Sequence, residues 1–271
     1  MKRRYIALIG AAVLCLVLTA TAATLLMQPG PAPQHTLQQA VTNAIVFCEG
    51  LQEPDALLML DVMHRRFGIE AFADSLQRYD QLLAGASETQ QPHLRVFRRI
   101  ADPNNPIRDE DWQAISGDVD FFIVPALYSD RQALPAYYSE TLDQAANQRG
   151  LYLTHTLLAC TWLQENGREE ALPESFRERV HHATAELIDN DSVVSEVELE
   201  AAAFLYLAGQ GALVDKSFAD RGFAVQNSDG GWPRSSDTPG DSYWHASILG
   251  LLFLLHVENP ASSYPPMLAS S

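Results

Sequence analysis

The chain has 271 residues, 47% of them hydrophobic, which gives apolar material for one large domain or two small ones and excludes wholesale disorder. A formal net charge of −16 argues against nucleic acid and anionic membrane surfaces as electrostatic partners.

The first element is a leader. Lys2, Arg3 and Arg4 precede an apolar run over 5–18, and Ala20-Thr21-Ala22 has the small-x-small form of a cleavage site. The uncharged stretch continues to Met27, long enough to span a bilayer. Residues 1–27 therefore read as a signal peptide or as an N-terminal membrane anchor acting through residues 5–27. Both place the body of the protein outside the cytoplasm, secreted, periplasmic or anchored. Residues 28–35 are a Pro-rich spacer, and 36–271 are expected to form a single domain.

In the first half, apolar residues recur at helical spacing over 36–51, 54–66 and 69–83. Residues 101–118 combine a proline-rich turn with one short helix. The run 120–128, DFFIVPALY, has strand-like composition, interrupted by Pro125. Residues 135–147 read as a helix. No long segment alternates with period two, so a sheet-based domain is not expected.

The second half predicts five helices, over 151–166, 173–188, 195–208, 215–226 and 241–257. Gly167 and Gly209 follow two of them, Ser195 and Glu198 have capping-box spacing, and Asp241 is placed as an N-cap with Pro260 as a stop. Cys48 and Cys160 both lie in apolar helical stretches. A disulfide between them is open in an oxidising compartment, and two buried free thiols are the favoured reading.

A period links this half. His155, Glu200 and His245 are each 45 residues apart, and an apolar helix begins around each, with a more polar helix between. The last unit reads QNSDGGWP followed by DSYWHASILGLL. Gly230 and Gly231 allow a tight reversal, Asp229 can bond the amides of its own turn, Trp232 can cover the neighbouring hairpin, and Gln226 can tie helix to turn.

This unit resembles the repeat of terpene cyclases and protein prenyltransferase beta subunits. The resemblance is strongest over 222–257 and fades back to about 150. It implies an all-α chain built as an α/α toroid (α/α barrel) of helical hairpins, inner helices ringing a central cavity. His245 falls where the prenyltransferases place a zinc-binding His. The chain departs from the family elsewhere: it has no D-x-C, no DxDD, no DDxxD, and no GCGEQ of macroglobulin thioester domains.

In a toroid the first turn of each inner helix faces the cavity mouth. Those turns carry Tyr152 and His155, Glu196 and Glu200, and Asp241, Tyr243 and His245. His155, Glu200, His245 and Asp241 are the candidate acid/base residues. His155, Glu200 and His245 are also a candidate metal set, two imidazoles and a carboxylate, although a divalent metal such as zinc is not the expected occupant. The alternative assigns both histidines to the core and Glu200 to a helix cap. Two function classes follow. The first is an extracytoplasmic toroid of undefined role that binds a small-molecule, glycan or protein ligand at the cell envelope. The second is a cavity-based lyase or hydrolase acting on a glycan or peptide.

Overall fold

The computed structural model describes residues 36–271 apart from 239, 262 and 271. The leader and spacer expected over 1–35 lie outside the described residues. Twelve α-helices are described: α1 Leu37–Glu49, α2 Pro54–Phe67, α3 Ser75–Gly85, α4 Gln91–Phe97, α5 Asp109–Gln113, α6 Asp120–Leu127, α7 Tyr138–Asn147, α8 Gly150–Glu165, α9 Glu174–Ala185, α10 Glu196–Leu207, α11 Lys216–Ala224 and α12 Trp244–Glu258. Among the described residues no strand forms, and the chain is all-α in class.

Local chemistry explains the boundaries. Thr36 Oγ1 accepts the Gln39 amide at the start of α1. α2 opens on Pro54, ends in His64, Arg65 and Arg66, and stops at Gly68 with φ +70. At α10, Ser195 and Glu198 close a capping box, as their spacing predicts. The helix expected over 215–226 is observed as α11, Lys216–Ala224, with Asp215 as its N-cap, whose carboxylate accepts the Ser217 amide at 2.7 Å.

Two expectations are corrected. The strand-like run over 120–128 is α6. A short apolar run does not separate a strand from a buried helix, and here every side chain from Phe122 to Leu127 is buried. Pro125 removes one amide, and its i−4 partner lies at the exposed Phe121. Asp241 is not an N-cap. α12 begins three residues later with Tyr243 at its cap position, because Tyr243 N–H is held by Trp232 O at 2.7 Å.

Helices α6, α8, α10, α12 and α2 pack in that succession, each on the next. α3 packs on α2, α7 and α9 on α8, and α1 and α11 on α12. The burial of α8, α10 and α12 runs around their whole circumference, which explains why they lack a polar face. Among the described residues, no helix is long and apolar enough to cross a membrane.

The DGGW turn is structural. Gln226 Nε2 donates to Gly230 O at 2.8 Å and to Ala40 O at 2.9 Å, stitching α11 and α1 to the turn. Asp229 Oδ1 accepts the Gly231 amide and the Ser242 hydroxyl. Trp232 is buried, and its Nε1 donates to Gly222 O at 2.7 Å. Cys48 and Cys160 are buried free thiols.

Candidate active site

Five helices point their N-terminal turns at one place. Asp55 comes from the start of α2, Asp120 from α6, His155 from α8, Glu196 and Glu200 from α10, and His245 from α12. His93 joins them from α4. The cavity between them, about 210 Å³, is lined by Asp55, His93, Asp120, His155 and His245 among apolar side chains that include Phe97, Trp162, Phe204 and Trp244. Converging helix N-termini favour the acidic groups gathered there.

Each imidazole has a carboxylate neighbour. His245 Nδ1 lies 2.5 Å from Glu196 Oε1, and His245 Nε2 lies 3.9 Å from Glu200 Oε1. His155 Nδ1 lies 3.7 Å from the same Glu200 oxygen. His93 Nδ1 is 3.5 Å from Asp120 Oδ2, and its Nε2 is 4.0 Å from Asp55 Oδ1. Three of the four sequence candidates, His155, Glu200 and His245, therefore meet. Asp241 does not join them. It is exposed and lies outside the cavity lining.

Glu200 sits behind the two rings. It is 1% exposed, its Oε2 accepts the Thr154 hydroxyl at 2.6 Å, and its Oε1 has no hydrogen-bond partner. It does not cap a helix, since Glu198 does that. A buried carboxylate oxygen without a donor is costly, and of its two imidazole neighbours His245, through Nε2, can carry a proton toward it when charged.

Hydrogen-bond partners fix the tautomers. His155 Nδ1 is 3.0 Å from Leu151 O, which only accepts, so Nδ1 carries the proton and Nε2 is the free acceptor. His245 donates from Nδ1 to Glu196, the arrangement in which a carboxylate orients an imidazole. Burial alone would lower the His245 pKa, but the Glu196 hydrogen bond and the Glu200 charge outweigh it and the net direction is up. The Asp120 hydrogen bond likewise raises His93. Burial raises Asp55, opposed by the charges of His93, His245 and His155. The Asp55 side chain keeps 59% of its surface accessible, so water screens that shift.

Among the described residues, no group of three or more His, Cys, Asp or Glu side chains stands in a metal-holding arrangement.

Sequence reasoning missed Asp55, His93 and Asp120. Asp55 and Asp120 occupy the same first-turn position as Glu196, so extending that rule to 54–66 and reading 120–128 as a helix finds them. His93 carries no such signal, because α4 has only seven residues and falls outside the 45-residue register.

A larger hollow of about 1040 Å³ lies at the opposite ends of these helices, where Arg66, Glu165, Tyr206 and His256 line it. It lacks the paired imidazoles and carboxylates of the smaller cavity. No family model, curated protein or solved structure matches the chain.

Proposed function

We propose that this chain is an extracytoplasmic α/α toroid whose central cavity performs acid–base chemistry, as a hydrolase or lyase on a small or end-on glycan or peptide ligand. The leader over 1–27 supports the compartment. The succession α6, α8, α10, α12, α2 supports the ring, with α4 bridging its ends through His93, which faces Asp55 of α2 and Asp120 of α6. The observation that carries the reaction class is the meeting of His155 and His245 on Glu200 Oε1, at 3.7 and 3.9 Å.

The roles follow from the partners. His155, with Nδ1 engaged by Leu151 O, offers Nε2 as the base that takes a proton from water or from the ligand. His245, charged more readily because Glu196 and Glu200 attend it, gives a proton to the departing group. One proton is taken and one is given, so the pair returns to its starting state by exchange with water. Glu196 and Glu200 act as positioning residues, orienting the rings and stabilising the imidazolium. The cavity of about 210 Å³ falls below the ~300–1,000 Å³ of sites that enclose drug-sized ligands, so it admits a small molecule or one unit of a chain.

The test is turnover of a panel of oligosaccharides and peptides by the full chain, with His155→Gln and His245→Gln alongside. The reading predicts product formation that falls by about 10²–10⁴-fold in each variant. Ligand binding without turnover, unchanged in both variants, would instead favour the ligand-binding toroid.

A further inference from the structure

The chain beyond α12 turns back and enters the bundle. Tyr264 stacks against Phe67, His256 and the Arg66 guanidinium. Met267 and Leu268 then become buried, at 2% and 4% exposure. Their amides donate to the two oxygens of Glu165, at 2.7 Å to Oε1 and 2.9 Å to Oε2. Arg65 Nη2 donates to Met267 O at 2.9 Å, Trp162 Nε1 donates to Met267 Sδ at 3.3 Å, and the Ala269 amide donates to Ile100 O at 2.9 Å. Residues 264–269 thus form a strap anchored to α2, α8 and the Arg98–Ile100 turn.

This strap divides two spaces. Met267 lines the acid–base cavity, together with Trp162 and Ile100. Pro266, the residue before it, lines the hollow of about 1040 Å³ on the other side. Two residues adjacent in sequence, Pro266 and Met267, thus face different spaces.

We propose that Met267 is the floor of the cavity and the specificity-determining residue that sets how deep a ligand can enter. An unbranched thioether suits that place, since it fills an irregular gap. With the floor in place the ligand that reaches His155 and His245 is short, one unit of a chain. Without it the cavity joins the larger hollow and longer ligands thread through. The consequence for substrate length rests on the acid–base reading of the cavity. The floor itself does not.

Acrylamide quenching of tryptophan fluorescence in the full chain reads the floor without any substrate. Trp162 is 1% exposed and bonded to Met267. Met267→Ala is expected to make one further tryptophan of the four quenchable, and Met267→Leu to stay at the wild-type level. The rise disappears in Met267→Ala combined with Trp162→Phe. Quenching of folded Met267→Ala at the wild-type level overturns the proposal. If Met267→Ala does not fold, Glu165→Gln carries the test, since it removes one of the two acceptors that hold the strap. It is expected to raise Trp162 quenching, and unchanged quenching counts against the floor. On a substrate that the wild type turns over, Met267→Ala shifts preference to longer ligands through KM. Absence of wild-type turnover refutes the acid–base reading and leaves the quenching result to decide the floor.

Discussion

Acid should unfold this protein through a residue far from the cavity. His256 is 1% exposed, ringed by Phe67, Tyr206 and Tyr264. Its Nδ1 is 2.8 Å from Leu252 O and its Nε2 is 3.1 Å from Arg66 Nε, so the ring donates at one nitrogen and accepts at the other. That pattern requires the neutral form. Protonation would set two donors and two positive charges against each other. Burial pulls the pKa from its ordinary 6.5 down to about 3, and the Arg66 charge adds to the shift. Between those values the unfolded chain binds the proton and the folded chain does not, so stability is present above 6.5 and is lost as pH falls toward 3. At 1.36 kcal/mol per unit, the loss reaches about 2 kcal/mol at pH 5 and about 5 kcal/mol at the lower limit. The assay is urea unfolding of wild type and His256→Phe across pH 7 to 4. The phenyl ring keeps the stacking, costs stability at pH 7 by leaving Arg66 Nε without its acceptor, and removes this titration. Wild type should lose about 2 kcal/mol more than the variant between pH 7 and 5. Parallel pH profiles would mean that His256 does not carry the acid lability.

Thr154→Val leaves the buried Glu200 carboxylate without its hydroxyl donor, and should destabilise by about 1.5–3 kcal/mol in the same urea assay. Gly230 holds φ +94 and packs against the Asn43 carbonyl, so Gly230→Ala should cost at least ~1–3 kcal/mol from backbone strain alone, read as a fall in Tm. Burial pushes the Cys160 thiol up to about 12 and the Cys48 thiol higher still. A thiol reagent should therefore label neither until the protein unfolds, and a reductant should leave Tm unchanged.

The second half of the fold is legible because its signals are local. Ser195 and Glu198 cap α10 through bonds within one turn, Asp215 caps α11 in the same way, and Gly167 and Gly209 take positive φ just past α8 and α10. The 45-residue register brings His155, Glu200 and His245 together because it places each near the N-terminal end of one of three helices, α8, α10 and α12, that pack in succession. The first half hides its contribution. Asp120 opens a helix whose all-apolar body also suits a strand. His93 depends on where α4 happens to lie between α2 and α6, which is a tertiary fact. Asp241 looked like a cap by residue type alone, yet the backbone bond from Tyr243 to Trp232 starts the helix later. The strap was invisible for a similar reason, since Met267 finds its place through Glu165, which lies 102 residues away in sequence.

In the proposed site the imidazoles and carboxylates of the cavity act as one coupled set. Histidine-resolved NMR titration of the full chain, in wild type, Glu196→Gln and Glu200→Gln, tests it most directly. The wild-type His245 pKa should lie above 6.5 and fall in both variants, because Glu196 and Glu200 are what raise it. A His245 that titrates at its ordinary value and ignores both substitutions would contradict the claim.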